Sequence, residues 1–176
     1  MESKVKLLGH PIHPMLVAFP VALLSTAVVF DVVGLITANP DFGVISFWCL
    51  TVGLVVGLAA ALFGLFDWLA IRSETRAKRV GAWHGVGNVV MVGLFALSWL
   101  LRLGEPGNAP TALALLLGFA GAAIALVTAW LGAELVYRLR IGVDDIAGVD
   151  APSSLGRTTP EAPAARSGAG RTARVS

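Results

Sequence analysis

Residues 43–66 read GVISFWCLTVGLVVGLAAALFGLF, and this stretch decides the fold. It carries no charged side chain over a length that, as helix rising about 1.5 Å per residue, crosses the roughly 30 Å hydrocarbon layer of a membrane. The apolar pattern runs on through Asp67 and Trp68 to Ile71. A strand of a membrane barrel would alternate apolar and polar residues, and this segment does not. Backbone groups inside lipid have no water to bond, so the segment reads as an α-helix, which satisfies them internally.

Three further segments read the same way. Pro14 to Ala38 holds one charge, Asp31; Val80 to Leu101 holds none but includes His84; Pro106 to Ala133 holds none, with Glu134 just beyond. We therefore expect spans at about 14–38, 43–71, 80–102 and 107–137, within a bundle covering 14–141. Lys4 and Lys6 before an apolar run imitate a signal peptide, but the run is too long and no clear small-residue cleavage site follows, so it reads as a retained first helix. The connections are short, which makes sequential helices antiparallel neighbours. The fold class is thus an all-α membrane protein, a four-helix antiparallel transmembrane bundle.

The whole-chain composition agrees. Of 176 residues, 56% are apolar and 14% charged, with mean hydropathy +0.80. A water-soluble domain carries about a quarter charged residues. The glycines lack a collagen period, and the single Cys49 excludes an intramolecular disulfide and reads as a small apolar filler. A net charge of +2 does not imply nucleic acid, because the basic residues flank apolar runs or lie in the tail rather than forming a face. From Gly142 to Ser176 the chain turns to Gly, Ala, Pro, Ser, Thr and Arg without an aromatic, and reads as a disordered tail.

Charge also orients the bundle. Lys4, Lys6, Arg72, Arg76, Lys78, Arg79, Arg138 and Arg140 fall on one side and only Arg102 on the other. The positive-inside rule then puts both termini in the cytoplasm, in a bacterial inner membrane, with the lipid bilayer as first partner. Gly53, Gly57 and Gly64, and separately Gly118, Gly121 and Ala122, form small-residue faces for close helix packing, within the chain or between copies. Pro20 should kink the first helix.

The scarce polar residues gather in depth. His10 and His13 precede the first span, Asp67 ends the second, His84 starts the third and Glu134 ends the fourth. All therefore fall in one cytoplasmic layer. In His10-Pro11-Ile12-His13-Pro14 each histidine precedes a proline and should be extended, with Pro14 opening the helix. A polyproline-like stretch would put the two rings on one side, roughly 9 Å apart. His84 and Asn88 share a helix face. Imidazole with carboxylate suits zinc or non-haem iron, and two imidazoles from different helices suit haem iron. His10, His13, His84 and Asp67 are the candidate metal or haem ligands, with Trp68, Asn88 and Glu134 as supporting partners. The competing reading is a capping and hydrogen-bonding network at the membrane interface. Asp31 lies toward the opposite side, where it either pairs with Arg102 or serves a proton or cation relay.

The stretch Gly9-His10-Pro11-Ile12-His13-Pro14 with Leu16-Val17 and Phe19-Pro20 resembles the opening signature of a bacterial four-helix membrane family, domain of unknown function 2231. Asp31, Gly64 to Trp68, His84, and Tyr137 to Val143 before an acidic residue fit the same family, so the resemblance covers about residues 7–145. It implies the four-helix fold. Some relatives carry a Rieske-type iron–sulfur domain, which implies membrane redox chemistry by association; the tail here has no Cys or His to form one.

Three functions are consistent with these features. The first is a metal- or haem-binding redox module at the cytoplasmic face, working with a redox or membrane-protein partner. The second is a non-enzymatic scaffold or partner subunit with a structural His/Asp network. The third is a small proton-linked transporter using Asp31, against which the spans lack paired broken half-helices. No catalytic constellation is recognised: Ser25, Ser46 and Ser98 lack a nucleophile elbow, and no phosphate loop is present.

Overall fold

The computed structural model describes residues 1–155. Its helices are α1 (Ile12–Thr37), α2 (Asp41–Ala70), α3 (Arg76–Leu100) and α4 (Ala112–Ala133), the last running into a π-turn at Glu134–Arg138. All four spans are long and apolar enough to cross a membrane. At about 1.5 Å per residue they measure roughly 33–45 Å, more than the hydrocarbon layer requires.

Local chemistry sets the helix ends. The Thr75 hydroxyl accepts the Lys78 N–H at the start of α3, and the Thr111 hydroxyl accepts the Ala114 N–H at the start of α4. The expected span from residue 107 starts later as a helix, because Pro106–Asn108 form a 3-10 turn with Gly107 at φ +62°. Pro110, which lacks an N–H, then separates that turn from Thr111.

The expectation of an extended His13 is corrected. A two-residue strand β1 (Lys6–Leu7) pairs antiparallel with β2 (His10–Pro11), and α1 begins at Ile12. His13 and Pro14 therefore lie in the first helical turn. The first four N–H groups of a helix have no intrahelical acceptor, so a proline there removes nothing, and the turn outweighs the usual extended bias before proline. α1 also continues through Pro20 as one helix.

The helices form two hairpins, α1 on α2 and α3 on α4, which then pack together. Glycines allow the close approach: a Cβ at Gly53 would lie 2.9 Å from Leu24, and one at Gly121 would lie 3.0 Å from the Phe95 ring. Leu24, Ala27, Leu50, Leu54 and Phe95 make the core cluster. Outward positions such as Val89, Leu126 and Ile36 are apolar and exposed, as a lipid-facing surface must be.

The N-terminal segment closes one end of the bundle. The Met1 ammonium donates to the Arg140 carbonyl, and the Gly142 N–H donates to the Met1 carbonyl. Residues 142–155 run in turns beside it, with Ser154 Oγ 3.1 Å from His10 Nε2. The rest of the stretch read as a tail, residues 156–176, lies outside the described residues.

Candidate functional site

Two histidines are held in matching ways at the end that carries the N-terminus. His13 Nδ1 lies 2.8 Å from the Ala60 carbonyl on α2, and its ring lies over Gly64, where a Cβ would come within 2.7 Å of Cε1. His84 Nδ1 lies 2.9 Å from the Thr128 carbonyl on α4, and its ring lies over Gly132, where a Cβ would come within 3.1 Å. A carbonyl only accepts, so Nδ1 carries the hydrogen in both rings and Nε2 is left with its lone pair. Asn88 Nδ2 meets His84 Nε2 at 3.1 Å and donates to the His84 carbonyl at 2.9 Å.

The remaining candidates are not gathered with this pair. His10 stays on β2 beside Ser154, exposed. Asp67 Oδ1 accepts the Ser3 hydroxyl at 2.7 Å and the Lys4 N–H at 2.9 Å, so it anchors the N-terminal segment. The Trp68 indole donates to the Lys78 carbonyl, while the Lys78 ammonium sits 3.9 Å above the Trp68 ring and donates to the Trp68 carbonyl. These contacts staple the α2–α3 turn. Glu134 pairs with Arg76 and joins the end of α4 to the start of α3. Among the described residues, no three His, Cys, Asp or Glu side chains converge as a metal cluster. The four candidate ligands drawn from depth alone therefore do not converge as one cluster among the described residues. Depth placed the other groups in the right layer, but each has a nearer partner.

The opposite end is sealed by charge. Arg102 Nη1 and Nη2 donate to Asp31 Oδ1 and Oδ2 at 2.8 and 2.7 Å, and Arg102 is 0% exposed. Ser46 Oγ and Ser98 Oγ accept from the same guanidinium at 3.0 and 3.3 Å, and themselves donate to the Ala27 and Ala114 carbonyls. Among the described residues, Arg102 Nε is the one buried side-chain polar atom without a partner. A bidentate fork with added hydroxyls is the geometry that lets a charge pair persist away from water.

Sequence reading overlooked the supports: Gly64 and Gly132 as ring seats, Ser46 and Ser98 around Arg102, and Ser3 on Asp67. A signal existed for one of them, since Ser98 stands four residues before Arg102 on a single helix face.

Residues 9–145 match the family described as Predicted membrane protein (DUF2231). The chain belongs to this family. No curated protein and no solved structure matches the chain. In this DUF2231 protein the matched stretch opens on Gly9, before HPIHP, and ends at Asp145, so it takes in all four helices, both histidine seats and the buried ion pair.

Proposed function

We propose that the protein binds a redox-active metal centre near one membrane face, with His13 and His84 as its protein ligands. The observation that carries this is the paired anchoring of the two imidazoles. Each donates Nδ1–H to a carbonyl of the neighbouring helix, which fixes the tautomer and ring plane and raises the basicity of Nε2. Such an outer hydrogen bond is the usual support of a metal-bound histidine. Asn88, bonded to His84 Nε2, would turn aside to free that lone pair. An iron or similar centre held there would supply one-electron chemistry, exchanged with a redox or membrane-protein partner. The excess of Lys and Arg at this end supports a cytoplasmic face, with both termini in the cytoplasm and the bundle in a bacterial inner membrane.

The scaffold reading draws on Asp67, Trp68 and Glu134, which tie segments of the chain together. A proton relay through Asp31 has no support in this geometry, since Arg102 holds both carboxylate oxygens. The deciding experiment is metal analysis with visible absorption spectra, oxidised and reduced, on detergent-solubilised protein. The proposal expects bound metal whose loading falls in a His13/His84 double alanine variant. A colourless, metal-free sample with full helical content overturns it and leaves the scaffold.

A further inference from the structure

The interior contacts repeat along the chain at two constant spacings. His84, Phe95, Ser98 and Arg102 on and just after α3 each lie 71 positions after His13, Leu24, Ala27 and Asp31 of the α1 stripe. Ala114, Gly121, Thr128 and Gly132 of α4 each lie 68 positions after Ser46, Gly53, Ala60 and Gly64 of α2. The contacts repeat with the positions. His13 bonds the carbonyl of Ala60 and His84 that of Thr128. Gly53 packs on Leu24 and Gly121 on Phe95, while Gly64 seats one histidine and Gly132 the other. Even the serine bridges match with donor and acceptor exchanged: Ser46 bonds the Ala27 carbonyl, and Ser98 bonds the Ala114 carbonyl.

Both hairpins run in the same direction, so the operation relating them is a two-fold rotation about an axis along the bundle, the parallel kind of membrane repeat. Asp31 and Arg102 occupy equivalent positions and bond each other directly, which places that axis between them. His13 and His84 are also equivalent, so they approach the same axis from opposite sides at equal depth. The stripe is buried from Leu24 and Phe95 down to Asp31 and Arg102, but only half-buried at His13, Val17, His84 and Asn88. The two hairpins are therefore sealed from solvent at the ion pair and more accessible at the histidines.

We propose that the α1–α2 and α3–α4 hairpins are two copies of one unit, and that a metallo-tetrapyrrole is held on their shared axis by His13 and His84 as equivalent axial ligands. This rests on the metal-centre reading above and narrows it to one ligand class. A metal on the axis at the depth of the rings meets two imidazoles from opposite directions. No third protein donor joins them among the described residues, so a ligand that brings its own donors would complete the coordination. A planar macrocycle with four ring nitrogens and two open faces meets that requirement, whereas a bare zinc ion, which prefers four tetrahedral donors, does not.

The test is titration of detergent-solubilised full-length protein with hemin, read by its visible spectrum, alongside zinc binding. Wild type is expected to give a low-spin, two-imidazole spectrum. His13→Ala and His84→Ala are each expected to give a high-spin spectrum and to weaken hemin binding by a similar factor, on the order of tenfold or more. Added imidazole should restore the low-spin form in both. His13→Gln and His84→Gln, whose amides can still donate to the Ala60 and Thr128 carbonyls, replace any alanine variant that fails to fold. Loss through one histidine only overturns the equivalence while leaving the metal reading in place. Native redox-active metal without hemin binding likewise overturns the tetrapyrrole and not the metal centre, whereas zinc bound in preference to hemin overturns both, since zinc has no redox chemistry. A folded wild type that binds neither metal nor hemin overturns both.

Discussion

Asp31→Asn isolates the buried charge pair. Asn preserves the shape of the side chain but removes its charge, and turns one acceptor of the guanidinium fork into a donor facing a donor. Arg102, 0% exposed, keeps one amide oxygen and the Ser46 and Ser98 hydroxyls, none of which carries charge. Removing one partner of a buried pair costs about 3–5 kcal/mol, because the surviving charge stays desolvated. The two hydroxyls offset part of that, so we expect a loss of about 3 kcal/mol. An exposed pair would give about 0–1 kcal/mol. The companion Asp31→Leu/Arg102→Met variant removes both charges and is expected to lose far less than the two single changes together. Unfolding by SDS in mixed micelles, followed by far-ultraviolet circular dichroism, measures each variant. A loss below about 1 kcal/mol for Asp31→Asn, or an additive double variant, would show that the fork does not hold the bundle.

Three other outcomes follow from the geometry. Gly64→Ala should displace the His13 ring, since the new methyl would lie 2.7 Å from Cε1, so on the proposed metal reading loading should fall while helical content by circular dichroism is retained. Asp67→Ala should release the N-terminal segment by removing the acceptor of Ser3 and Lys4, and limited proteolysis should then cut within residues 1–11 faster than in wild type. At the surface, a hydrogen bond to Glu2 raises Lys6 above 10.5, and the Ile146 N–H lowers Asp144 below 3.8. The Lys6 contacts are therefore fully present below pH 10.5 and lost as pH rises through the higher folded value. Those of Asp144 are present above pH 3.8 and lost as pH falls through the lower one. The Ile146 amide resonance should hold constant between these limits and shift only outside them.

The spans are legible in sequence because the bilayer sets a length and forbids charge, and residues 43–66 meet both conditions without any neighbour's help. Charge is legible too: a lone acid in lipid needs a partner, and Arg102 is the basic residue at the depth of Asp31. Helix rotation is not. Lipid is as apolar as the core, so Leu126 pointing outward and Leu24 pointing inward look alike in sequence. That also hides the repeat, since lipid-facing positions can change freely while only a few inward ones, such as His13 with His84 and Gly53 with Gly121, keep the same residue. Asp67 shows the limit of reasoning by depth. It lies in the layer of the histidines, yet Ser3 and Lys4, more than sixty residues away in the chain, occupy its oxygen.

The distance in sequence between Asp31 and Arg102 has a consequence for biosynthesis. The acid is made 71 residues before the arginine, which at roughly 5–20 residues per second is a delay of about 4–14 s. Throughout that interval the first hairpin has an unmatched carboxyl group within its apolar length. The cost of a lone acid in lipid then falls on the first hairpin by itself. Completion of α3 delivers the matching cation, so the first hairpin gains its full stability only once the second is made.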